Sequence, residues 1–423
     1  MPDGCSIPSG RTGAAAARAP QTPKSRQTVA TAKREGNHCE PHNILPAVQT
    51  IPETLSIQTP TTTFPKVVAI VLNWNGWLDT IECVESLLRS SRPPHQVVIV
   101  DNGSVDDSID RICEWADGLL VPEHLSEVTM GWSYRPYPKP LAYAQFDGAA
   151  DAFEGTGAPE TPVVIIRVGE NLGYAGGNNV GIHYALARFG ADYVWILNND
   201  TIVERHALDR KMSVAEMDAQ IGIVGAKLLR YQDPSKMQAL GGGNVIPALG
   251  LDSQIGAGLD GSLATTQPIE LEHVVGASLF VRAAAIHSVG LMDESYFLYR
   301  EETDWCLKMR KNGWKLVCCP VAEVWHKQGA SIGYKSVLHD YYSVRNMLFL
   351  LHKHHPRQFL LAFFMIAFRS TAAKIARLQL RRLWFVLKAF GDFFSGVRGR
   401  THSEQELLAN RDANKPPARS LRT

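Results

Sequence analysis

The sequence has little net charge, no paired cysteine motif and no long apolar run. The 423-residue chain carries a formal net charge of +1, and no basic run interleaved with aromatics occurs outside its C-terminal segment, so we expect no nucleic-acid partner. Its seven cysteines are scattered without the spacing of a metal site, which favours a reducing cytosol over a disulfide framework. No uninterrupted apolar run approaches the about 20 residues that a membrane-spanning helix needs.

The composition is that of a globular domain with appendages. With 45% hydrophobic residues, the chain can form one large domain or two ordinary ones. Residues 1–65 hold much Pro, Thr, Ser, Gln and Ala but no apolar run long enough for a signal peptide, which predicts a disordered tail. We expect the folded domain to span residues 66–356 and a second disordered tail to span 401–423.

Two buried strands open the domain, and each ends in polar residues. Val67 to Leu72 is an apolar run followed by Asn73-Trp74-Asn75-Gly76, and the run 96–100 leads to Asp101. A predicted helix lies between them, so the order is that of a doubly wound nucleotide-binding sheet. Asp101 is a candidate acceptor for a base or ribose hydrogen bond, and a helix cap or turn is the structural alternative. Residues 112–161 are less regular and predict a long insertion near the binding crevice.

Two further polar clusters follow later strands. Residues 170–181 contain four glycines at a strand-to-helix junction, where backbone N–H groups and a helix N-terminus can approach a diphosphate; an ordinary glycine-rich turn is the alternative. Tyr193 to Leu197 reads as a buried strand ending at Asn198-Asn199-Asp200. A carboxylate at such a strand end suits a divalent cation between protein and phosphates, although Asn and Asp are also common in turns.

Taken in order, these motifs resemble the family-2 nucleotide-sugar glycosyltransferases, in particular the bacterial rhamnosyltransferase-like branch. The resemblance covers about residues 66–357 and implies an α/β GT-A fold, with a Rossmann-like, mostly parallel half and a mixed acceptor-side half. It also implies inversion at the anomeric carbon. The donor-binding residues that it implies are Asn73, Asn75, Asp101, Gly173, Gly177, Asn178, Asn198, Asn199 and Arg345. For Arg345, contact with the diphosphate and packing of its helix are both open.

An acidic cluster supplies the expected base. Glu301, Glu302 and Asp304 stand at the start of a predicted helix, where carboxylates often only cap the helix. The resemblance implies that Glu302 is the catalytic base and that Glu301 and Asp304 orient the acceptor or hold the helix. The remaining acceptor-side candidates are Gly276, Ala277, Ser278 and Trp305.

The expected cofactor is a divalent cation, Mg²⁺ or Mn²⁺. The resemblance implies that Asp200 is the last residue of the family's metal-binding triplet, whose first two positions are Asn in this sequence. A lone histidine after an apolar run is more often a core or loop residue than a ligand. The resemblance nevertheless implies that His326 completes the metal site.

The segment 357–400 combines apolar runs with Arg and Lys, which predicts basic amphipathic helices lying on a membrane surface. A packed helical hairpin is the alternative. We therefore expect a cytoplasmic protein, peripheral on the inner face of the plasma membrane.

The expected activity is transfer of a sugar from a nucleoside-diphosphate donor to a cell-surface polysaccharide or lipid-linked glycan precursor. The resemblance favours dTDP-rhamnose, and a UDP-sugar is possible. A catalytically inactive sugar-nucleotide-binding scaffold would predict a disrupted acidic cluster, and a nucleotidyltransferase would predict basic residues after the first strand. The sequence has neither feature.

Overall fold

The computed structural model describes residues 64–122, 136–154, 157–262, 265–328, 336–403, 405–407 and 409. The predicted N-terminal tail up to residue 63, the middle of the predicted insertion and most of the C-terminal tail lie outside the described residues.

The described chain alternates strands and helices through its first half and is mixed afterwards. The strands are β1 (Val67–Asn73), β2 (Gln96–Asp101), β3 (Tyr143–Asp147), β4 (Val163–Arg167), β5 (Tyr193–Asn198), β6 (Thr201–Val203), β7 (Ile221–Arg230), β8 (Asp233–Leu240), β9 (Gly242–Ile246), β10 (Leu251–Gln254), β11 (Ile269–Glu270), β12 (His273–Val274), β13 (Ser278–Arg282) and β14 (Lys315–His326). The helices are α1 (Trp77–Leu88), α2 (Ser108–Asp117), α3 (Ala149–Phe153), α4 (Gly173–His183), α5 (Ala207–Ala215), α6 (Ala283–Val289), α7 (Glu301–Lys311), α8 (Val337–His354), α9 (Phe359–Ala376) and α10 (Leu380–Phe394).

The large sheet has a parallel half and a mixed half, with strand order β11-β14-β7-β13-β5-β1-β2-β4-β3. The strands from β5 to β3 are all parallel, and β13 joins β5 antiparallel. β1 and β2 are apolar on both faces because helices cover both sides of a parallel sheet. This organisation confirms the predicted α/β class, with a Rossmann-like half and a mixed half. A small second sheet, β10-β9-β12, lies beside the mixed half.

The predicted insertion is not one long loop. α2 continues to Asp117, and β3 then pairs parallel with β4 and extends the sheet by one edge strand. The sequence 143–147 is half-exposed rather than fully apolar, so the pattern of a buried strand is missing there. This part of the predicted insertion therefore belongs to the sheet.

The glycine run 241–243 also differs from the flexible loop that its composition suggests. Gly242 and Gly243 begin β9, where a Cβ would lie 1.9 Å from the carbonyl oxygen of His273 and 1.7 Å from that of Ser253. The glycines are required because neighbouring backbones approach too closely for any side chain.

The C-terminal helices belong to the same compact unit as the sheet. α8 is buried along most of its length, and aromatic residues of α9 and α10 pack against it. Within the described residues, α9 alone is long and apolar enough, by length and composition, to cross a membrane. Its 18 residues have a mean hydropathy of 1.6, and 11% of them are buried.

Candidate active site

Hydrogen bonds between side chains join the ends of β1, β2 and β5. Asn73 donates from Nδ2 to Asp101 Oδ1 at 2.8 Å, and its Oδ1 accepts from Thr80 Oγ1 at 2.8 Å. Asn199 donates to the same threonine oxygen at 3.1 Å. All four side chains are buried, so the amides predicted to bind the nucleotide also hold three strand ends together.

Asp101 stabilises a turn, which was the structural alternative for this residue, and it also lines a pocket that is open to solvent. Its Oδ2 accepts from the backbone N–H of Ser104 at 3.2 Å, as in a turn stabilised by a carboxylate. The residue also lines a shallow pocket beside β4. Asn75, at a φ of 53°, accepts from the N–H groups of Val105 and Asp106 through Oδ1. The turn after β1 is therefore fixed against the turn after β2.

The glycine-rich segment is shaped by close packing at the start of α4. α4 begins at Gly173, three residues before the expected start near Gly176. Gly173 has a φ of 76°, and a Cβ there would lie 2.3 Å from the carbonyl oxygen of Phe297. A Cβ on Gly177 would lie 2.4 Å from Leu72 Cδ1. Asn178 is buried and its Oδ1 has no hydrogen-bond partner among the described residues.

A cleft lies between the parallel half and the loop before α7. It is lined by side chains from the predicted motifs and from the loop around Leu298: Leu72, Trp74, Asn102, Asn171, Tyr174, Asn198 and Asn199. Tyr174 donates from its hydroxyl to the carbonyl oxygen of Gly276 at 2.7 Å. A Cβ on Gly276 would lie 3.4 Å from Glu302 Cγ. Tyr174 and Gly276 thus connect the cleft to the acidic cluster.

The two predicted metal ligands meet at the mixed edge of this cleft. Asp200 Oδ1 lies 3.1 Å from His326 Nε2, and the opposite ring nitrogen, Nδ1, lies 2.8 Å from Gln238 Oε1. Asn198, which lines the cleft, lies 3.4 Å from the same Nε2. Burial would raise the pKa of Asp200, but His326 and Lys327 hold that pKa below its usual value. Asp200 is therefore a carboxylate at neutral pH.

This pair has the chemistry and spacing of two neighbouring ligands of one cation. Mg²⁺ bonds of about 2.1 Å at right angles separate adjacent ligands by about 3 Å, which matches the 3.1 Å separation of Asp200 and His326. No group of three or more His, Cys, Asp or Glu residues suited to a metal occurs in the described ranges. Two protein ligands leave room for phosphate oxygens and water, as is usual for Mg²⁺.

Glu301 is buried and Glu302 is half-buried, and both carboxylates have few partners. Burial raises the pKa of Glu301, and the charge of Glu302 raises it further. Burial also raises the pKa of Glu302, against the attraction of the Arg300 guanidinium. Glu301 Oε2 has no hydrogen-bond partner within the described part of the chain, whereas Glu302 Oε1 lies 3.4 Å from Thr303 Oγ1. Glu302 is the less buried of the two.

Arg300 holds the start of α7 through an ion pair with β10. Its Nη1 lies 2.9 Å from Asp252 Oδ2 and its Nη2 donates to Asp252 Oδ1 at 3.0 Å. Arg300 adopts a left-handed conformation with a φ of 81°, which is uncommon for a residue with a side chain. The two-point ion pair fixes that conformation and directs the following glutamates.

Asp304 lies on the other side of α7, away from the cleft. It accepts from Tyr296 at 3.0 Å, from Lys353 at 2.9 Å and lies 2.7 Å from His354 Nε2. Of the two roles predicted for it, the contacts correspond to holding the helix, since they attach α7 to α8.

Three other predicted site residues face the interior. Trp305 is buried in the core and donates to the carbonyl oxygen of Gly290 at 2.8 Å. Arg345 is completely buried and donates to the carbonyl oxygens of Tyr296 and Gly399. Of the two alternatives open for Arg345, the contacts match packing of its helix and correct the diphosphate contact, because the guanidinium is buried against these carbonyl groups. The prediction that Trp305 faces the acceptor is corrected in the same way.

The segment 276–278 is divided between the site and the core. Gly276 borders Glu302, as described above, and the carbonyl oxygen of Ala277 accepts from the N–H of Asn198 at 3.2 Å. Ser278 Oγ accepts from Trp195 and Lys211 inside the domain. Ser278 therefore supports β13 rather than facing an acceptor.

Gln238, Tyr174 and Asp252 were missed as site residues in the sequence. Tyr174 stood within the glycine-rich motif and could have been chosen as its one large side chain. Gln238 and Asp252 act through partners 88 and 48 residues away, and no local pattern signals such contacts.

Comparison with known proteins identifies a family domain within the chain. Residues 141–340 match the model of "Glycosyltransferase like family 2". The matched residues form a glycosyltransferase family 2 domain. The chain is 24% identical over 250 residues to the dTDP-rhamnosyl transferase RfbF of Shigella flexneri, covering 56% of this chain and 80% of that protein.

Two further known proteins are similar to this chain. The chain is 26% identical over 164 residues to the low-salt glycan biosynthesis hexosyltransferase Agl10 of Haloferax volcanii. The match covers 38% of this chain and spans about half, 51%, of the length of that relative. The structure of S. aureus TarS 1–349 with UDP-GlcNAc is 13% identical, covers 82% of this chain and 83% of that one, and has a TM-score of 0.46.

Proposed function

We propose that this protein is a metal-dependent, inverting glycosyltransferase with a nucleoside-diphosphate sugar as donor, dTDP-rhamnose being the first candidate. The observation that carries the proposal is the cleft lined by the strand-end amides, with the Asp200–His326 pair beside Asn198 and with Glu302 beside Gly276. The family-2 domain and the similarity to the dTDP-rhamnosyl transferase of Shigella flexneri support this donor.

In the proposed reaction, an acceptor hydroxyl attacks the anomeric carbon from the face opposite the diphosphate. The new carbon–oxygen bond forms as the bond to the diphosphate oxygen breaks, and that oxygen keeps the electron pair. Glu302 accepts the hydroxyl proton. Its raised pKa makes it a stronger base than an exposed glutamate once it is ionised.

Asp200 and His326 would hold Mg²⁺ or Mn²⁺, which supplies positive charge to the departing diphosphate when it is bound. The cleft amides would orient the donor, and the positive end of the α4 helix dipole lies beside the cleft. The acceptor class that we propose is a hydroxyl of a cell-surface polysaccharide or lipid-linked glycan precursor.

The test measures release of nucleoside diphosphate from dTDP-rhamnose and a panel of UDP- and GDP-sugars, with a membrane extract as acceptor source. Each donor is assayed with Mg²⁺, with Mn²⁺ and with chelator. We expect turnover of one donor that chelator abolishes, and we expect Asp200→Ala and Glu302→Gln to lose it. The exposed Glu160→Gln is the matched control and should retain full turnover.

Tight donor binding without turnover in any extract, together with no effect of Glu302→Gln, would support an inactive sugar-nucleotide-binding scaffold. Metal-independent turnover would contradict the assignment of Asp200 and His326.

A further inference from the structure

The last two long helices expose a continuous apolar stripe each. The stripe on α9 and the stripe on α10 repeat at intervals of three, four or seven residues, which places each stripe on one helix face. Their members are Leu361, Phe364, Phe368 and Ile375 on α9, and Leu380, Trp384, Leu387 and Phe394 on α10, with exposures from 54% to 73%. Exposed aromatic and aliphatic side chains at this density are unusual for a surface in water.

The two stripes adjoin each other. The ring of Phe363 lies 5.6 Å from that of Phe364 and 5.5 Å from that of Phe394. Leu378, in the turn between the helices, is 82% exposed. We call the stripes together with Leu378 the apolar face of the hairpin.

The opposite side of the hairpin is packed on the domain. On α9, Ala362 and Ile366 are buried, and Ile366 fills the space that a Cβ on Gly250 would need. Arg369 donates to the carbonyl oxygens of Leu249 and Gly250 at 2.8 and 2.9 Å. On α10, Phe393 lies 4.9 Å from Phe349 of α8 between ring centroids. The hairpin is therefore part of the folded domain while its other side faces outward.

Exposed positive charge borders the apolar face at the turn between the two helices. The segment 357–400 contains nine Arg and Lys residues and one acidic residue, Asp392. Arg377 and Arg381 are exposed on either side of Leu378, and Arg382 and Lys374 reach Asp340 of α8 at 2.5 and 3.1 Å. An apolar surface bordered by cations complements a bilayer whose headgroups are anionic.

We propose that the apolar face of the hairpin docks on an anionic phospholipid bilayer, with its side chains at the headgroup–acyl boundary and Arg377 and Arg381 among the phosphates. A second copy of the chain is a poorer partner for this face, because a symmetric contact would bring the two basic borders together. Spanning the bilayer would require α9 to leave Gly250 and would remove the bonds of Arg369 to two carbonyl groups.

The helices that carry the apolar face are connected through β10 to the part of the domain that bears the proposed base. α9 packs against the turn Pro247–Leu249 and Gly250, directly before β10. β10 carries Asp252, whose ion pair with Arg300 positions the start of α7. Docking through α9 and α10 would therefore hold the base-bearing half of the enzyme near the membrane, where a lipid-linked acceptor resides.

The test is sedimentation of the full chain with phosphatidylcholine vesicles that contain or lack phosphatidylglycerol. We expect binding that requires phosphatidylglycerol and weakens with added salt. The variant pair Phe368→Gln with Trp384→Gln, and the pair Arg377→Glu with Arg381→Glu, should each weaken binding at least about tenfold. The control pair Leu119→Gln with Met217→Gln changes exposed apolar residues elsewhere and should bind as the unmodified chain does.

Circular dichroism and thermal unfolding of each variant show whether the fold is retained, and a light-scattering mass determination reports the oligomeric state. Absence of vesicle binding, or equal binding by all variants, would overturn the proposal. So would a dimer that the Phe368 and Trp384 changes dissociate, or vesicle association that resists alkaline carbonate. The assay uses neither donor nor acceptor, so its outcome is independent of the proposed sugar transfer.

Discussion

The two sides of the cleft differ in how their polar side chains are paired. We call the strand ends with their amides the donor side, and the start of α7 with its two glutamates the base side. On the donor side, Asn73, Thr80, Asp101 and Asn199 satisfy one another through hydrogen bonds of 2.8 to 3.1 Å. On the base side, burial and mutual repulsion raise the pKa of Glu301, burial raises that of Glu302, and one oxygen of Glu301 has no partner in the described part of the chain.

This difference distinguishes residues that hold the structure together, on the donor side, from residues suited to react, on the base side. A satisfied network of buried polar groups fixes the positions of the elements that carry it. A buried carboxylate with a raised pKa is costly to ionise and is held by the surrounding fold, which is typical of catalytic sites. We therefore expect changes on the donor side to act mainly on stability and binding, and changes on the base side to act mainly on rate.

The comparison is tested most strongly by replacing each glutamate in turn. Glu302→Gln should lower kcat by about 10²- to 10⁴-fold, because a carboxamide cannot take the proton from the hydroxyl of the acceptor substrate. Glu301→Gln should cost far less, because Glu301 is the more buried of the two and is less able to reach an acceptor hydroxyl. Steady-state kinetics with saturating donor measure both. A larger loss for Glu301→Gln would transfer the role of base to that residue.

The metal ligands lie between the two sides and depend on Gln238. Its amide oxygen, 2.8 Å from Nδ1, favours the His326 tautomer whose Nε2 lone pair faces Asp200. Gln238→Leu should therefore weaken binding of Mn²⁺ by about 10- to 100-fold. Calorimetric titration of Mn²⁺ into the full chain with nucleoside diphosphate present measures it, with the exposed Gln145→Leu as control. Equal affinities would show that His326 needs no support from Gln238.

The donor-side hydrogen-bond network should contribute to the free energy of unfolding. Asn73→Ala removes the partner of Asp101 Oδ1 and one of the partners of Thr80 Oγ1 inside the domain, and we expect a loss of about 2 kcal/mol in the free energy of unfolding. Chemical denaturation measures this loss, and the exposed Asn312→Ala should stay within about 0.5 kcal/mol of the parent. An unchanged stability for Asn73→Ala would mean that the network does not hold the strand ends.

Sequence reasoning succeeded where a local pattern carries the information. The apolar runs of β1, β2 and β5 predict buried parallel strands, and the Asn and Asp residues that follow them do gather at one sheet edge. The 3.1 Å approach of Asp200 and His326 followed from the family resemblance, since the two residues are 126 positions apart. The patterns could not show that Arg345 and Trp305 point inward, because both lie on helices whose several faces are buried. Nor could they show Asp252, whose role exists only through Arg300.

Asp252 gives the smallest and most specific test of the comparison. Burial raises the pKa of Glu302, Arg300 lowers it, and the Asp252 carboxylate raises it. A base must be ionised to work, so activity should fall as the pH decreases through this raised pKa. The acidic limb of the pH–rate profile should thus lie above the pH expected for an exposed glutamate.

Asp252→Asn removes a nearby negative charge and leaves the positive charge of Arg300 without its counter-ion. Both changes lower the pKa of Glu302, so the acidic limb should move to lower pH while the exposed Asp260→Asn leaves it in place. The limb is measured as kcat against pH, each profile scaled to its own maximum, so that a partial loss of activity does not imitate a shift. If the acidic limb does not move in Asp252→Asn, a group other than Glu302 determines that limb. The raised pKa of Glu302 would then no longer distinguish the base side from the donor side.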